Sequence, residues 1–130
     1  FYFKFASENG FKIIDLGLSR ALLNDGVLRY KAKWKTKVEF DKKRSNVFAL
    51  RISKLTEPLK SFLINNPFIS IENNRLIGNI HLDSQCALGE EETIKKYQLN
   101  GISELKIIHL NGNKNVDSDL KIYNLSPAVA

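Results

Sequence analysis

The residue types that enzymes most often use for chemistry come together in one short stretch of the sequence, IGNIHLDSQC. His81 and Asp83 are two positions apart, which places both side chains on one face of a β-strand, and Cys86 follows closely. An imidazole, a carboxylate and a thiol could form a nucleophilic constellation or a mixed metal site. A surface His beside a surface Asp, with a small buried Cys, accounts for the same residues more simply. The sequence therefore predicts no catalytic residue, no bound metal and no cofactor.

Other motifs of known chemistry do not occur in the sequence. It contains no Walker A loop, no dinucleotide-binding glycine fingerprint, no HExxH motif, no GxSxG motif and no EF-hand loop. Cys86 is the sole cysteine, which excludes an internal disulfide and a four-cysteine zinc site. The sequence thus predicts a protein that is not an enzyme. A small enzyme built around His81 and Asp83 is the less favoured alternative.

A second pattern concerns charge and occupies the segment LRYKAKWKTKVEF, from Leu28 to Phe40. Its cations alternate with other residues, and three more cations follow in the loop DKKRSN. Strict alternation predicts a β-strand with the cations on one face and an apolar face, including Trp34, in the core. The residues predicted to bind an anion are Arg29, Lys31, Lys33, Lys35, Lys37, Lys42, Lys43 and Arg44.

Three interpretations of this basic strand remain open. The cations could face water, because alternating strands commonly do and because lysine on an edge strand discourages aggregation. They could face an anionic partner, which explains better why one face carries cations of a single sign. They could also pair with acids of the same chain or of an oligomer. Because the aromatic residues would lie on the opposite face, the strand predicts contact with phosphates rather than stacking on bases.

The basic excess of the chain is local. The net charge is +6, yet residues 28–60 hold eleven Lys or Arg and three Asp or Glu, so the other residues together carry −2. Apolar residues make up 43% and charged residues 26% of the chain, as in an average soluble domain. The apolar runs are too short to span a membrane. We expect one domain over residues 1–130, excised from or processed out of a longer chain, because the sequence begins with Phe and contains no Met.

Turn signals recur between the apolar runs and predict antiparallel hairpins, because Asn, Asp and Gly tolerate the backbone of tight turns. They are Asn9-Gly10, Asp25-Gly26, the loop 41–46, Asn73-Asn74, Asn100-Gly101 and Asn111-Gly112. The stretch FYFKF before the first signal is expected to be a strand, and the tail of a removed apolar segment is the alternative. Residues 11–24 fit a short helix or a strand equally well.

Two helices are predicted. The one near 56–65 has Thr56 as its N-cap and Pro58 in its first turn, and Pro67 lies just beyond its end. A second, short helix at 90–96 has acids at its start and lysines at its end, which matches the helix dipole.

The predicted fold is α+β, with a mostly antiparallel, long-stranded sheet arranged as a hairpin meander and the helix near 56–65 packed on it. The side chains predicted to be mostly buried are Leu28, Trp34, Val38, Phe48, Leu50, Leu59, Phe62, Leu63, Ile69, Ile71, Ile80 and Leu82.

The predicted function is a noncatalytic binding or docking domain that uses residues 29–44 against an anionic macromolecule or a membrane surface. A partner protein or an oligomer is the other class of partner. The alternative to docking is a carrier of a small apolar ligand or lipid, held in a cavity between sheet and helix. The sequence leaves the compartment open.

Overall fold

The computed structural model describes residues 2–83, 89–110 and 120–124. Its elements are α1 (Tyr2–Glu8), α2 (Gly26–Ala32), α3 (Glu57–Asn65), β1 (Phe68–Glu72), β2 (Arg75–Asp83), α4 (Glu90–Tyr97), β3 (Ile102–Leu110) and β4 (Leu120–Asn124). The fold is α+β. None of the helices in this described part of the chain is long and apolar enough to cross a bilayer.

The sheet has the strand order β1-β2-β3-β4, with an antiparallel pair at each edge and a parallel pair in the centre. The hairpin predicted at Asn73-Asn74 is confirmed, and both residues have the positive φ of a type I′ turn, 48° and 64°. The chain passes from β2 to β3 by way of α4, because parallel neighbours need a crossover connection. The predicted hairpin meander is therefore not confirmed.

The helix predicted near 56–65 is confirmed as α3. The hydroxyl of Thr56 accepts a hydrogen bond from the backbone N–H of Leu59, at 3.4 Å, which is the expected N-cap. Helix α3 lies against β2. Leu63 of α3 is buried, and the ammonium of Lys60 lies 3.3 Å from the carboxylate of Asp83. The second predicted helix is confirmed as α4.

The main hydrophobic core joins the two central strands to residues from other parts of the chain. Its buried members are Leu23, Leu28, Ile80, Leu82, Leu99, Ile102, Leu105 and Ile107. Partly buried side chains, among them Ala32 and Val38, pack against this cluster. The segment with the alternating cations is therefore held on the sheet by its own apolar residues.

The strand predicted over residues 28–40 is wrong, because the segment begins as helix α2. The carboxylate of Asp25 accepts a hydrogen bond from the backbone N–H of Leu28, at 2.9 Å, so Asp25-Gly26 starts a helix and is not a hairpin turn. Leu28 and Ala32, four residues apart, face the core together. The helix ends in a turn at 33–35, where Lys35 has a φ of +56°.

The residues after this turn are anchored to the start of β3. The backbone N–H of Val38 donates to the carbonyl of Asn100, at 2.8 Å. Gly101 has a φ of +95°, and a Cβ at this position would overlap the backbone of Val38. The signal at Asn100-Gly101 therefore marks the connection from α4 to β3 and the contact with Val38, not a hairpin.

The predicted core is confirmed in part. Leu28, Leu63, Ile80 and Leu82 are buried. The half-buried members are Val38, Leu59, Ile69 and Ile71. The prediction is wrong for four residues that stay exposed, which are Trp34, Phe48, Leu50 and Phe62.

Each of the four exposed residues has a physical reason to be outside the core. Trp34 lies in the turn after α2, where its ring stacks on Phe3 of α1 and does not join the core cluster. Phe48 and Leu50 lie in a segment that forms neither helix nor strand, so their alternation buries nothing. Phe62 lies on α3, which buries Leu63 on the sheet but leaves other sides of the helix in water.

The N-terminal predictions also need correction. The stretch FYFKF belongs to helix α1, and Gly10, with a φ of +73°, ends that helix and does not form a hairpin. Residues 11–24 form neither of the two expected elements, apart from one isolated β-bridge between Leu22 and Phe68. The loop 41–46 does contain the predicted turn, at residues 42–44. The signal at Asn111-Gly112 lies outside the described residues.

Candidate functional site

The eight cations predicted to bind an anion do not share one strand face, and Lys31 is the clearest exception. Its ammonium donates hydrogen bonds to the carbonyls of Gly17 and Leu18, both at 2.8 Å, and to the hydroxyl of Ser19, at 3.0 Å. All three donor positions of a lysine are used by these contacts. Lys31 therefore ties α2 to the segment 17–19 and has little capacity left for an external anion.

Two further cations are paired with acids. The ammonium of Lys37 lies 2.8 Å from the carboxylate of Glu39. The guanidinium of Arg44 bridges Asp15, at 2.6 Å, and Asp41, at 2.5 Å. Hydrogen bonds from Arg44 hold the pKa of both carboxyls below its ordinary value, and the two acids raise the pKa of Arg44. Most of the charge of Arg44 is thus neutralised within the chain.

The other five cations form neither an ion pair nor a side-chain hydrogen bond among the described residues. They are Arg29, Lys33, Lys35, Lys42 and Lys43. We call these five the free cations. Arg29 is half-buried and the four lysines are exposed. Lys35 also has the positive φ noted above, which is uncommon for a residue with a side chain.

An exposed apolar surface lies beside three of the free cations, Arg29, Lys33 and Lys35. The ring of Trp34 stacks on Phe3 of α1, with centroids 5.1 Å apart, and meets Tyr30 edge-on at 6.4 Å. The exposed fractions are 40% for Phe3, 60% for Tyr30 and 52% for Trp34. Val27, one helical turn before Tyr30, is also exposed. We call Phe3, Val27, Tyr30 and Trp34 the aromatic stripe.

Helical geometry places two of the free cations, Arg29 and Lys33, along the border of this stripe. Successive residues of a helix are rotated by about 100° around its axis. This rotation puts Arg29, in α2, and Lys33, at its C-cap, between the stripe and the buried side of the helix. Lys33 and Lys35 flank Trp34 in the turn. Cations and aromatic rings are therefore neighbours on the outer surface, whereas the strand interpretation had placed them on opposite faces.

The stripe belongs to a wider region of exposed apolar side chains. Among the residues that the structure describes, fourteen of the fifteen exposed large apolar side chains lie between Tyr2 and Ile52. Residues 2–55 also carry thirteen Lys or Arg and five Asp or Glu, a net charge of +8. A contiguous exposed apolar patch is typical of an interaction surface, and the ring contacts of Trp34 with Phe3 and Tyr30 make the aromatic stripe such a patch.

The residues considered for catalysis are arranged differently from the prediction. His81 is 6% exposed rather than at the surface, and its ring stacks on Phe68 with centroids 5.7 Å apart. Its Nδ1 has no hydrogen-bond partner among the residues that the structure describes, and burial lowers the pKa of the imidazole. Asp83 pairs with Lys60, and Cys86 lies outside the described residues.

No metal centre emerges from the part of the chain that the structure describes. This part contains no group of three or more His, Cys, Asp or Glu residues arranged to hold a metal ion. The expectation of no bound metal stays a prediction.

A surface depression of about 430 Å³ lies beside α2, next to the aromatic stripe. It is open to solvent and is lined by Leu18, Ser19, Arg20, Asp25 and Val27. A carrier of an apolar molecule needs an enclosed and mainly apolar cavity. The carrier alternative therefore gains no support from this depression.

The aromatic stripe is the part of the site that the sequence interpretation missed. One sequence signal could have revealed it. Asp25 is an N-cap residue three positions before Leu28, the first core residue of helix α2. A helix beginning there places Leu28 and Ala32 on one side and Tyr30 and Trp34 on another.

Comparisons of the chain with protein-family models, with curated protein sequences and with solved structures find no match.

Proposed function

We propose that the protein is a noncatalytic docking domain that binds an anionic, phosphate-bearing surface through residues 29–44. The observation that carries the proposal is the set of five free cations, which lie close together in the sequence and have no acidic partner among the described residues. Lys37 and Arg44 of the same segment are, by contrast, paired with acids. Cations left unpaired in a segment of high positive charge favour association with an anion.

The free cations of α2 and its turn are held in place by the core. Leu28 is buried, and the backbone of Val38 is bonded to Asn100 next to Gly101. Because both ends of the segment 28–38 are fixed, docking would order fewer residues than docking by a flexible tail, and less entropy would be lost. This arrangement supports a preformed surface.

The composition of the surface favours contact with phosphates that does not depend on sequence. Four of the five free cations are lysines, whose ammonium is a point charge without the planar fork of arginine. If all five are engaged on a nucleic-acid duplex, the log of affinity should fall with the log of salt concentration at a slope of about −4 to −5. On an anionic bilayer each would contribute about 1 kcal/mol.

The test is a binding titration against duplex DNA, single-stranded DNA and anionic lipid vesicles at several salt concentrations. The test variant combines Lys33→Gln with Lys35→Asn, because Asn tolerates the positive φ at position 35. The control variant combines Lys95→Gln with Lys96→Gln, which removes the same charge from the end of α4. We expect the test variant to bind anionic vesicles about 30-fold more weakly and the control to bind nearly as the parent does.

Two results would contradict the proposal. One is no binding to any of the three anions at about 50 mM salt, where screening is weak. The other is equal weakening by the test and control variants, which would indicate a response to net charge rather than to this surface. In either case the free cations are a solvated surface that opposes aggregation.

A further inference from the structure

We infer that the anionic partner is a lipid bilayer, whose interface takes up the aromatic stripe while the free cations contact the headgroups. This inference rests on the proposed docking function and names its partner.

The first argument is that α2 and its terminal turn have two apolar sides. Leu28 and Ala32 pack on the core, while Val27, Tyr30 and Trp34 form a second side that faces solvent. A helix on the surface of a globular protein ordinarily has one apolar stripe, directed at the core. Apart from the stacking of Trp34 on Phe3 of α1, the second side stays largely exposed, and it is available to a partner.

The second argument is the chemistry of the stripe. Trp and Tyr rings combine an apolar body with a polar edge, and they concentrate at the level of the lipid headgroups. The ring of Trp34 is in contact with Tyr30 on one side and with Phe3 on another, so the three rings form one exposed cluster. Lysine side chains bordering such a cluster can reach lipid phosphates while the rings lie deeper.

The third argument separates a bilayer from nucleic acid. Bases stack on aromatic rings and guanidinium planes, and they gain little from aliphatic side chains. Here the exposed set also includes the aliphatic side chains of Leu18 and Val27. Leu18 and Val27 line the same depression beside the aromatic rings. Bilayers accept aliphatic and aromatic side chains alike, so the composition of the surface favours lipid.

The fourth argument separates a bilayer from a protein partner. The centres of protein–protein interfaces are depleted in lysine, whereas Lys33 and Lys35 flank Trp34 directly. A second copy of the chain would also offer little opposite charge, because residues 56–130 sum to −2 against the +8 of residues 2–55. An anionic bilayer complements the whole basic region.

The experiment uses Trp34 as its own reporter, because it is the one Trp in the sequence. The probes are phosphatidylcholine vesicles with about 30 mol % phosphatidylserine, vesicles of phosphatidylcholine alone and a single-stranded oligonucleotide. We expect the emission of Trp34 to shift to shorter wavelength with the anionic vesicles and not with the oligonucleotide. Part of the vesicle binding should survive at about 0.5 M salt, where electrostatic attraction is largely screened.

A matched pair of variants tests the apolar contact. Tyr30→Ser removes an exposed ring from the stripe, and Phe62→Ser removes one from α3, where the exposed fraction is nearly the same, 60% against 58%. Tyr30→Ser should weaken binding to anionic vesicles about tenfold, and Phe62→Ser should not. Circular dichroism of both variants checks that neither change has disrupted the fold.

The other outcomes separate this inference from the proposed function. Vesicle binding with an unchanged Trp34 emission, or with equal effects of the two variants, would overturn the inference and leave docking by charge intact. Binding to the oligonucleotide and not to vesicles would also overturn the inference of a bilayer, would leave docking by charge intact and would favour nucleic acid as the partner. Self-association in sedimentation, without binding to vesicles, would favour a second copy as the partner. Binding to none of these would overturn both.

Discussion

Replacing Lys31 by Met should loosen the segment 17–20 without weakening docking, although Lys31 lies in the middle of the basic segment. The ammonium of Lys31 is hydrogen-bonded to Gly17, Leu18 and Ser19. Met keeps the length of the side chain and removes every donor. The matched control is Lys33→Met, since Lys33 belongs to the free cations and makes no such contact.

The magnitude follows from the three contacts. A hydrogen bond that involves a charged group contributes about 1.5–3 kcal/mol when it is shielded from water. The contacts of Lys31 lie at the surface, where solvent screening and side-chain entropy reduce this contribution. We therefore expect the three together to hold the segment by about 1–2 kcal/mol. Local opening of the segment should become about 5–30 times more populated when they are lost.

Limited proteolysis measures this opening directly, because trypsin cleaves after Arg20, next to the bonded segment. The rate at which the fragment ending at Arg20 appears can be followed by mass spectrometry. It should rise about 5–30-fold in the Lys31→Met variant and stay unchanged in Lys33→Met, since cleavage tracks the population of the open form. Equal rates in the two variants would refute the assignment of Lys31 as a structural cation.

Three further predictions concern the scaffold. Gly101→Ala should lower the free energy of unfolding in urea by about 2–5 kcal/mol, because the positive φ is strained for Ala and the added Cβ overlaps the backbone of Val38. Gly26→Ala is the control and should cause no measurable change, because a Cβ at that position meets open space. The unfolding free energy should fall as pH drops below about 6.5, by at most about 1.4 kcal/mol per pH unit, because buried His81 binds protons less readily than in the unfolded chain. His81→Phe should remove that dependence, and an unchanged pH profile would show that another group causes it. Lys35→Asn should leave the thermal midpoint unchanged or raise it, because Asn tolerates a φ of +56° better than Lys, and a clear drop would contradict the strain argument.

The elements that the sequence predicted correctly are those whose signals are local. Thr56 and Pro58 mark the start of α3 within a few residues, and Asn73-Asn74 supplies the positive φ of its hairpin without help from the rest of the chain. The parallel pairing of β2 with β3 is not local, since it depends on the crossover through α4. The helix predicted at 90–96 lies between the two apolar runs that become β2 and β3, and a helix between two strands is a signal of parallel pairing.

The error over residues 28–40 shows how two local signals can compete. The alternation of cations favours a strand, but the side-chain cap at Asp25 and the burial of Leu28 with Ala32 stabilise a helix. Packing against the sheet decides between them, and packing is not visible in a pattern of charges. The short helix then places the exposed rings next to the cations, which changes the kind of partner that the surface suits.

The sequence shows which residues of the segment are basic, but it does not show which of them are free to bind an anion and which are engaged within the chain. Lys31 reaches a segment 12–14 positions away, and Arg44 pairs with Asp15 across 29 positions. Such contacts are set by the tertiary fold. Lys31 and Arg44 are engaged within the chain by such contacts and Lys37 by its near neighbour Glu39, which leaves five of the eight predicted anion-binding residues available among the described residues.

Quenching of Trp34 by brominated lipid is the measurement that tests the central claim most directly. In free protein, iodide in the water should quench Trp34 efficiently, because 52% of the residue is exposed and two cations, Lys33 and Lys35, adjoin it in the sequence. On anionic vesicles, iodide quenching should fall, and phosphatidylcholine brominated near the headgroup end of its acyl chains should quench instead. If vesicles bind the protein while Trp34 stays open to iodide and insensitive to brominated lipid, the aromatic stripe does not enter the bilayer.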